Sequence, residues 1–179
     1  HVLVASSPEL LANDEGDLWN SGRVSSGQSI QIPYEGEKLS SSMDCYWKVK
    51  VWSENGESEW SEPAQWSMGP MHYNDWRGRW IGFDRAFPWD DVSKFARLSA
   101  RYFRKEFEVE KPILSAKLYI IGLGMYEPWI NGEKIGEQVL APVPTYYSEN
   151  VKYNSFDVTA FLKEGRNALG VVLGNGRFF

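Results

Sequence analysis

The chain has 179 residues, nineteen Lys and Arg against twenty-four Asp and Glu, a net charge of −5 and 42% hydrophobic side chains. These figures fit a soluble globular protein of one large or two small domains and exclude disorder and collagen-like repeats. There is no basic excess to neutralise phosphates, so nucleic acid is not expected as the main partner. No run approaches the roughly 18 to 20 apolar residues of a membrane span, and the opening residues lack the pattern of a secretory signal. Aromatic residues make up 15%, nine each of Trp, Tyr and Phe. Such an excess serves either a β-rich core or a surface that stacks on sugars.

Short alternating runs broken by Gly, Pro, Asn and Ser recur along the whole chain and predict an all-β protein with a single helical turn. Val2-Leu3-Val4-Ala5 reads as a strand, Ser6-Ser7-Pro8 as a turn, and Leu18 to Val24 and Ile30 to Tyr34 as further strands. Tyr46 to Trp52 is the clearest early strand, with Trp47, Val49 and Val51 facing a core and Lys48 and Lys50 facing water. It leads through the hairpin signal Asn55-Gly56 to Glu59-Trp60-Ser61-Glu62 and Ala64-Gln65-Trp66, the ending of a fibronectin type III-like sandwich. Lone Cys45 reads as a core thiol.

Met68-Gly69-Pro70 interrupts the pattern, which places a domain boundary near residue 70. A polar stretch from Asp84 to Lys94 follows, then a strand at 101–109 with Phe103, Phe107 and Val109 inward, and another at 115–121. Tyr126 to Ile130 enters a second hairpin signal at Asn131-Gly132. Asp157 to Leu162 reads as the helical turn, with Asp157 as N-cap and Gly165 closing it. Ala168 to Leu173, apolar on both faces, reads as a buried central strand. Both sandwiches look cut, the first lacking its opening strand and the second its closing strands, so a segment of a longer protein is expected.

Several motifs follow one another in the second half: Gly122-Leu123-Gly124-Met125-Tyr126-Glu127, Ile130-Asn131-Gly132-Glu133-Lys134-Ile135-Gly136, Val139-Leu140-Ala141-Pro142, Thr145-Tyr146-Tyr147, Val151-Lys152-Tyr153, Phe156-Asp157-Val158-Thr159 and Asn167 to Gly176. In this order they resemble the N-terminal region of bacterial α-L-rhamnosidases of glycoside hydrolase family 78. Leu18 to Val24, Tyr46 to Trp52, Asp75-Trp76 and Trp80-Ile81-Gly82 resemble the sandwich that precedes it there. Pro128 and Arg177-Phe178-Phe179 depart from the family's usual residues. The resemblance implies two β-sandwich domains, a fibronectin type III-like one over 1–70 and a jelly-roll-like one over 71–179. It also implies a parent that releases terminal α-L-rhamnose from glycans, with hydrolysis in a later (α/α)₆ barrel. That barrel's Asp/Arg/Glu-rich motif ending in Trp-x-Gly-Asp is absent here, so no catalytic residue is assigned to this segment. The expected partners are therefore a rhamnose-containing glycan and the barrel of the same parent chain, in the bacterial periplasm or outside the cell. Two other readings stay open: a sugar-binding sandwich of a β-galactosidase-type hydrolase, and a free-standing adhesion or receptor-like module, suggested by Trp52-Ser53 and Trp60-Ser61.

Sugar contact calls for a flat ring against a pyranose with amides nearby for its hydroxyls, which makes Trp89, Trp129, Asn131, Tyr146, Tyr147 and Asn175 the candidates. Pro142 and Pro144 stiffen the loop that carries the two tyrosines. Asp84, Asp90 and Asp91 read as members of a solvated loop rather than a catalytic pair. Two His and one Cys argue against zinc. No cofactor is expected, although the resemblance leaves calcium open, with Asn131, Asn175 or Asp157 as its oxygen ligands.

Overall fold

A computed structural model describes residues 1–83, 85–93 and 98–176 of the chain. Asp84, Lys94 and the Arg177-Phe178-Phe179 end, noted above, lie outside the described residues. The protein is all-β, as expected, and divides into two compact units, His1–Arg79 and Trp80–Phe179.

In the first unit, β1 (Val2–Ala5) leads into a helix of five residues, α1 (Pro8–Ala12), where the sequence predicts only a turn. The cause is local: the Ser7 hydroxyl accepts the Leu10 N–H at 3.3 Å, and Pro8 presets the first helical φ. Then come β2 (Trp19–Asn20), β3 (Asp44–Val49), the hairpin pair β4 (Trp52–Ser53) and β5 (Gly56–Glu57), and β6 (Ala64–Ser67). The antiparallel order β2-β1-β3-β6 registers Val4 against Trp47 and Cys45 against Trp66. The hairpin forms where predicted, but its two loop residues are Glu54 and Asn55, and Gly56, at φ 108, opens β5 opposite Ser53.

Both faces of this sheet are covered. Leu3, Ala5 and Leu11, with Tyr46 and Trp60, form one cluster; Val4, Leu18 and the fully buried Cys45, with Trp19, Trp47 and Trp66, form the other. The expectation of a wet lysine face is therefore corrected. Lys48 is only 6% exposed, paired with Asp14, its ammonium 5.0 Å from the Trp60 ring centre. Its stem lies along apolar surface while the charge finds a carboxylate, as a long cationic side chain must when a helix and a Trp cover its face. Val51, expected inward, is exposed because β3 stops at Val49. Ile30 to Tyr34 is not a strand: Gln31 adopts φ 55, Pro33 has no N–H to donate, and Ile30 is 73% exposed.

The second unit contains β7 (Arg101–Val109), β8 (Lys117–Ile120), β9 (Tyr126–Ile130), β10 (Glu133–Lys134), β11 (Asn154–Asp157) and β12 (Gly165–Leu173). One sheet has the order β10-β9-β12-β7 and the other pairs β11 with β8. Ile130, Ile135, Phe156 and Val158 pack between them with Leu118, Ile120 and Leu169. β12 is central, as its apolar run predicts, but 168–173 are half-buried rather than buried, because only one face of this sheet meets the core. Asn131 and Gly132 at φ 52 and 90 form the predicted β9–β10 turn. Pro128 is tolerated inside β9. The ladder to β12 is bonded at Met125 and Asn131, so the Pro128 nitrogen faces β10, where only its carbonyl is used, accepting the Ile135 N–H at 2.8 Å. Asp157 ends β11, and Val158 is the N-cap of the 3₁₀ turn Thr159–Phe161. The Asp157 carboxylate instead accepts the Thr159 N–H at 2.9 Å, two residues on, which corrects its predicted position but keeps its partner chemistry.

Candidate functional site

The polar stretch before β7 forms an ordered aromatic stack on a buried ion pair. Phe83 stacks on Phe87 at 5.5 Å and Phe87 on Trp89 at 4.9 Å, within 21° and 11° of parallel. The Arg101 guanidinium lies 4.7 Å from the Phe87 ring centre and donates to the carbonyls of Phe83, Arg85 and Ser99. Its ion-pair partner is Asp90, at 3.0 Å, whose side chain is fully shielded. Asp90 also accepts from the Ser99 hydroxyl at 2.5 Å and from the N–H groups of Ser99 and Phe87 at 2.6 and 2.7 Å. The Ser99 hydroxyl, with these amides and Arg101, outweighs burial and holds this carboxyl well below the ordinary range. Asp90 thus departs from the expected solvated loop: it is the internal anchor of that loop. Asp91 is exposed and bonds the Ser93 N–H at 3.0 Å.

Beside the stack lies a cavity of about 670 Å³, walled by Trp80, Phe83, Arg101, Gly124, Gly174 and Asn175, among others. Asn175 is exposed and its amide donates to the Leu98 carbonyl at 2.8 Å. The glycines here serve close backbone approach. A Cβ on Gly124 would overlap the Gly174 carbonyl, and one on Gly176 would reach within 2.6 Å of the Gly124 Cα. A Gly124→Ala substitution is therefore expected to destabilise the second unit by about 2 kcal/mol, readable as a lower urea midpoint for its unfolding.

Of the candidates, the structure places Asn175 in the wall of this cavity, while Trp89 stacks on Phe87, one ring removed from the wall residue Phe83. Trp89 is 72% exposed at the end of the stack. Trp129 and Asn131 lie at the far end of β9, roughly 20 Å of strand away. Asn131 is committed to the fold: its amide donates to the Phe161 carbonyl and to Asn167 at 2.9 and 2.8 Å and accepts the Ala168 N–H at 3.0 Å. Trp129 is half-buried on the outer face of its sheet. Tyr146 is 71% exposed, and its carbonyl accepts the N–H groups of Glu149 and Asn150; Tyr147 is half-buried. The buried Tyr126, which no sequence pattern singled out, donates to the Ile120 carbonyl at 3.1 Å, and burial pushes its hydroxyl up to about 12. Two of the calcium candidates are engaged by the fold. Asn131 and Asp157 spend oxygens on backbone amides, and no group of three His, Cys, Asp or Glu able to hold a metal exists among the described residues.

Residues 1–72 match the Rha78A-like, N-terminal immunoglobulin domain, and residues 111–179 match the alpha-L-rhamnosidase N-terminal domain. The chain belongs to the N-terminal region of the α-L-rhamnosidase family. It is 39% identical to an alpha-L-rhamnosidase of Formosa agariphila and 33% identical to one of Alteromonas sp., in each case over 98% of this chain. Among solved structures, an alpha-L-rhamnosidase of Dictyoglumus thermophilum superposes over 99% of the chain with a TM-score of 0.87 at 38% identity. One from Aspergillus terreus covers 97% with a TM-score of 0.76 at 28% identity. The chain spans about a fifth of the length of each of these rhamnosidases: 20% and 19% of the two curated relatives, 21% and 19% of the two solved chains. These similarities lend no support to the β-galactosidase-type or free-standing readings. No helix among the described residues is long and apolar enough to cross a membrane.

Proposed function

We propose that this chain is a non-catalytic accessory segment of an α-L-rhamnosidase-like hydrolase, and that the parent releases terminal α-L-rhamnose from glycans in the periplasm or outside the cell. The carrying observation is that nearly the whole chain aligns with only a fifth of each rhamnosidase. The remaining length of such a parent would hold the catalytic (α/α)₆ barrel, against which this segment packs. Its first unit is a fibronectin type III-like sandwich and its second a jelly-roll-like sandwich in this reading. The second unit offers sugar contact at Asn175 in the cavity wall and at the exposed Trp89 that ends the stack running from Phe83, with Tyr146 as a further exposed ring. The shielded carboxylate Asp90 supports the non-catalytic part. A general acid or base must reach the substrate's oxygen, whereas this group is surrounded by donors of its own loop.

An aryl α-L-rhamnoside assay of the 179-residue chain beside the parent enzyme tests the reading: the parent turns over and the chain does not, and turnover by the chain alone would overturn it. Calorimetric titration of the chain with L-rhamnose tests the sugar contact. Heat that disappears in a Trp89→Ala variant is the expected outcome, and no heat leaves packing as the segment's whole role.

A further inference from the structure

The outer face of the β10-β9-β12-β7 sheet is a trough. Ile130 and Leu169 face the core, so by strand alternation Glu127 and Trp129 on β9, Ala168, Gly170 and Val172 on β12, and Tyr102, Arg104 and Glu106 on β7 face outward. The register sets Gly170 between Trp129 and Arg104, and Val172 between Glu127 and Tyr102. Small residues of the central strand form a floor about 14 Å long, and taller side chains from two strands about 10 Å apart form the walls. Packing does not demand the glycine. A Cβ at Gly170 would meet only ordinary contacts, the Trp129 Cβ at 3.7 Å and the Phe103 carbonyl at 3.9 Å. A glycine inside a central strand weakens it and marks a place where something approaches the backbone closely.

Each wall carries one ring and one ion pair. Arg104 pairs with Glu106 at 2.5 Å beside Tyr102, and Lys134 pairs with Glu127 at 2.5 Å beside Trp129. Tyr102 is 81% exposed. The Trp129 Nε1 is shielded from solvent and has no hydrogen-bond partner, so the part of this half-buried side chain that meets solvent is carbon. The charges cancel within each wall, which disfavours an anionic ligand. Exposed, paired polar groups beside flat rings suit the hydroxyls and apolar faces of sugar rings.

We propose that this trough is a second carbohydrate site, which takes a neutral oligosaccharide main chain laid along β12, with Trp129 and Tyr102 as stacking rings and the two ion pairs as hydroxyl partners. It does not depend on the contact with terminal rhamnose proposed at Trp89 and Asn175. The test is calorimetric titration of the 179-residue chain with β-1,4-linked hexasaccharides of glucose, mannose and xylose, and separately with L-rhamnose. At least one hexasaccharide binds. Trp129→Ala and Tyr102→Ala each weaken it about tenfold, and Gly170→Val, which fills the floor and favours strand, abolishes it while leaving the response to L-rhamnose unchanged. Tyr102 is so exposed that its truncation cannot act by unfolding, and circular dichroism checks the fold of the other two. No binding of any hexasaccharide, or binding by Gly170→Val within about threefold of the parent chain, overturns the proposal whatever the rhamnose titration gives.

Discussion

Asn167→Leu is expected to destabilise the second unit by about 4 kcal/mol, although the two side chains are similar in size. Asn167 is 3% exposed and uses its whole amide. Its oxygen accepts the Lys163 N–H and the Asn131 amide at 3.0 and 2.8 Å, and its nitrogen donates to the carbonyls of Lys163 and Gly165 at 2.7 and 2.9 Å. Asn131 extends the network to the Phe161 carbonyl and the Ala168 N–H. Two asparagines thus tie the β9–β10 turn, the 3₁₀ turn and the start of β12 together. Removing Asn167 orphans three backbone groups and an amide, at roughly 1 to 3 kcal/mol for each that stays dry. Hydrogen exchange of the β12 amides reports this unit without the first. Faster exchange in Asn167→Leu, with a smaller effect in Asn131→Gly, is the expected pattern, because glycine keeps the φ 52 turn and loses only the amide bonds. Equal protection in the parent chain and Asn167→Leu would refute the role.

Asp90→Asn is expected to weaken the second unit most at neutral pH and least in acid. The folded carboxyl is held below its ordinary range, so its bonds add stability that is complete above the unfolded value near 4 and is lost as pH falls from there toward the lowered folded value. Asparagine keeps the shape but leaves the Arg101 guanidinium buried among carbonyls without its anion. Thermal unfolding from pH 7 downward should show a gap between the two proteins that narrows below about pH 4. A gap of constant size across that range would assign the effect to packing rather than to the charge. Phe83, Ser99 and Arg101 all border the cavity beside Asn175, so the same variant should also reduce the response to L-rhamnose.

Much of the fold was legible because its signals are local. Alternation located β7, a continuous apolar run located β12, and the Asn-Gly pairs located both hairpins, although only Asn131-Gly132 takes two positive φ values in its turn. The ordered motifs identified the family in the same way, with each short piece tied to a strand or a turn. The missed details depend on what arrives from elsewhere in the chain. Lys48 reads as a solvent-facing lysine until α1 and Trp60 cover its face. Asp90 and Asp91 are equivalent in sequence, yet one is an internal anchor and the other lies in solvent, because Ser99 and Arg101 return to only one of them.

The aromatic excess shows the same division. Composition alone established a β-rich protein whose rings either fill a core or meet sugars. Tertiary structure decided which ring does which: Trp19, Trp47 and Trp66 pack in the first unit, Trp89 caps an open stack, and Trp129 stands on an outer sheet face beside a glycine. Alternation along a strand shows that two faces exist. Which one is buried depends on the neighbouring sheet, helix or loop, and that neighbour is set by contacts far apart in the chain.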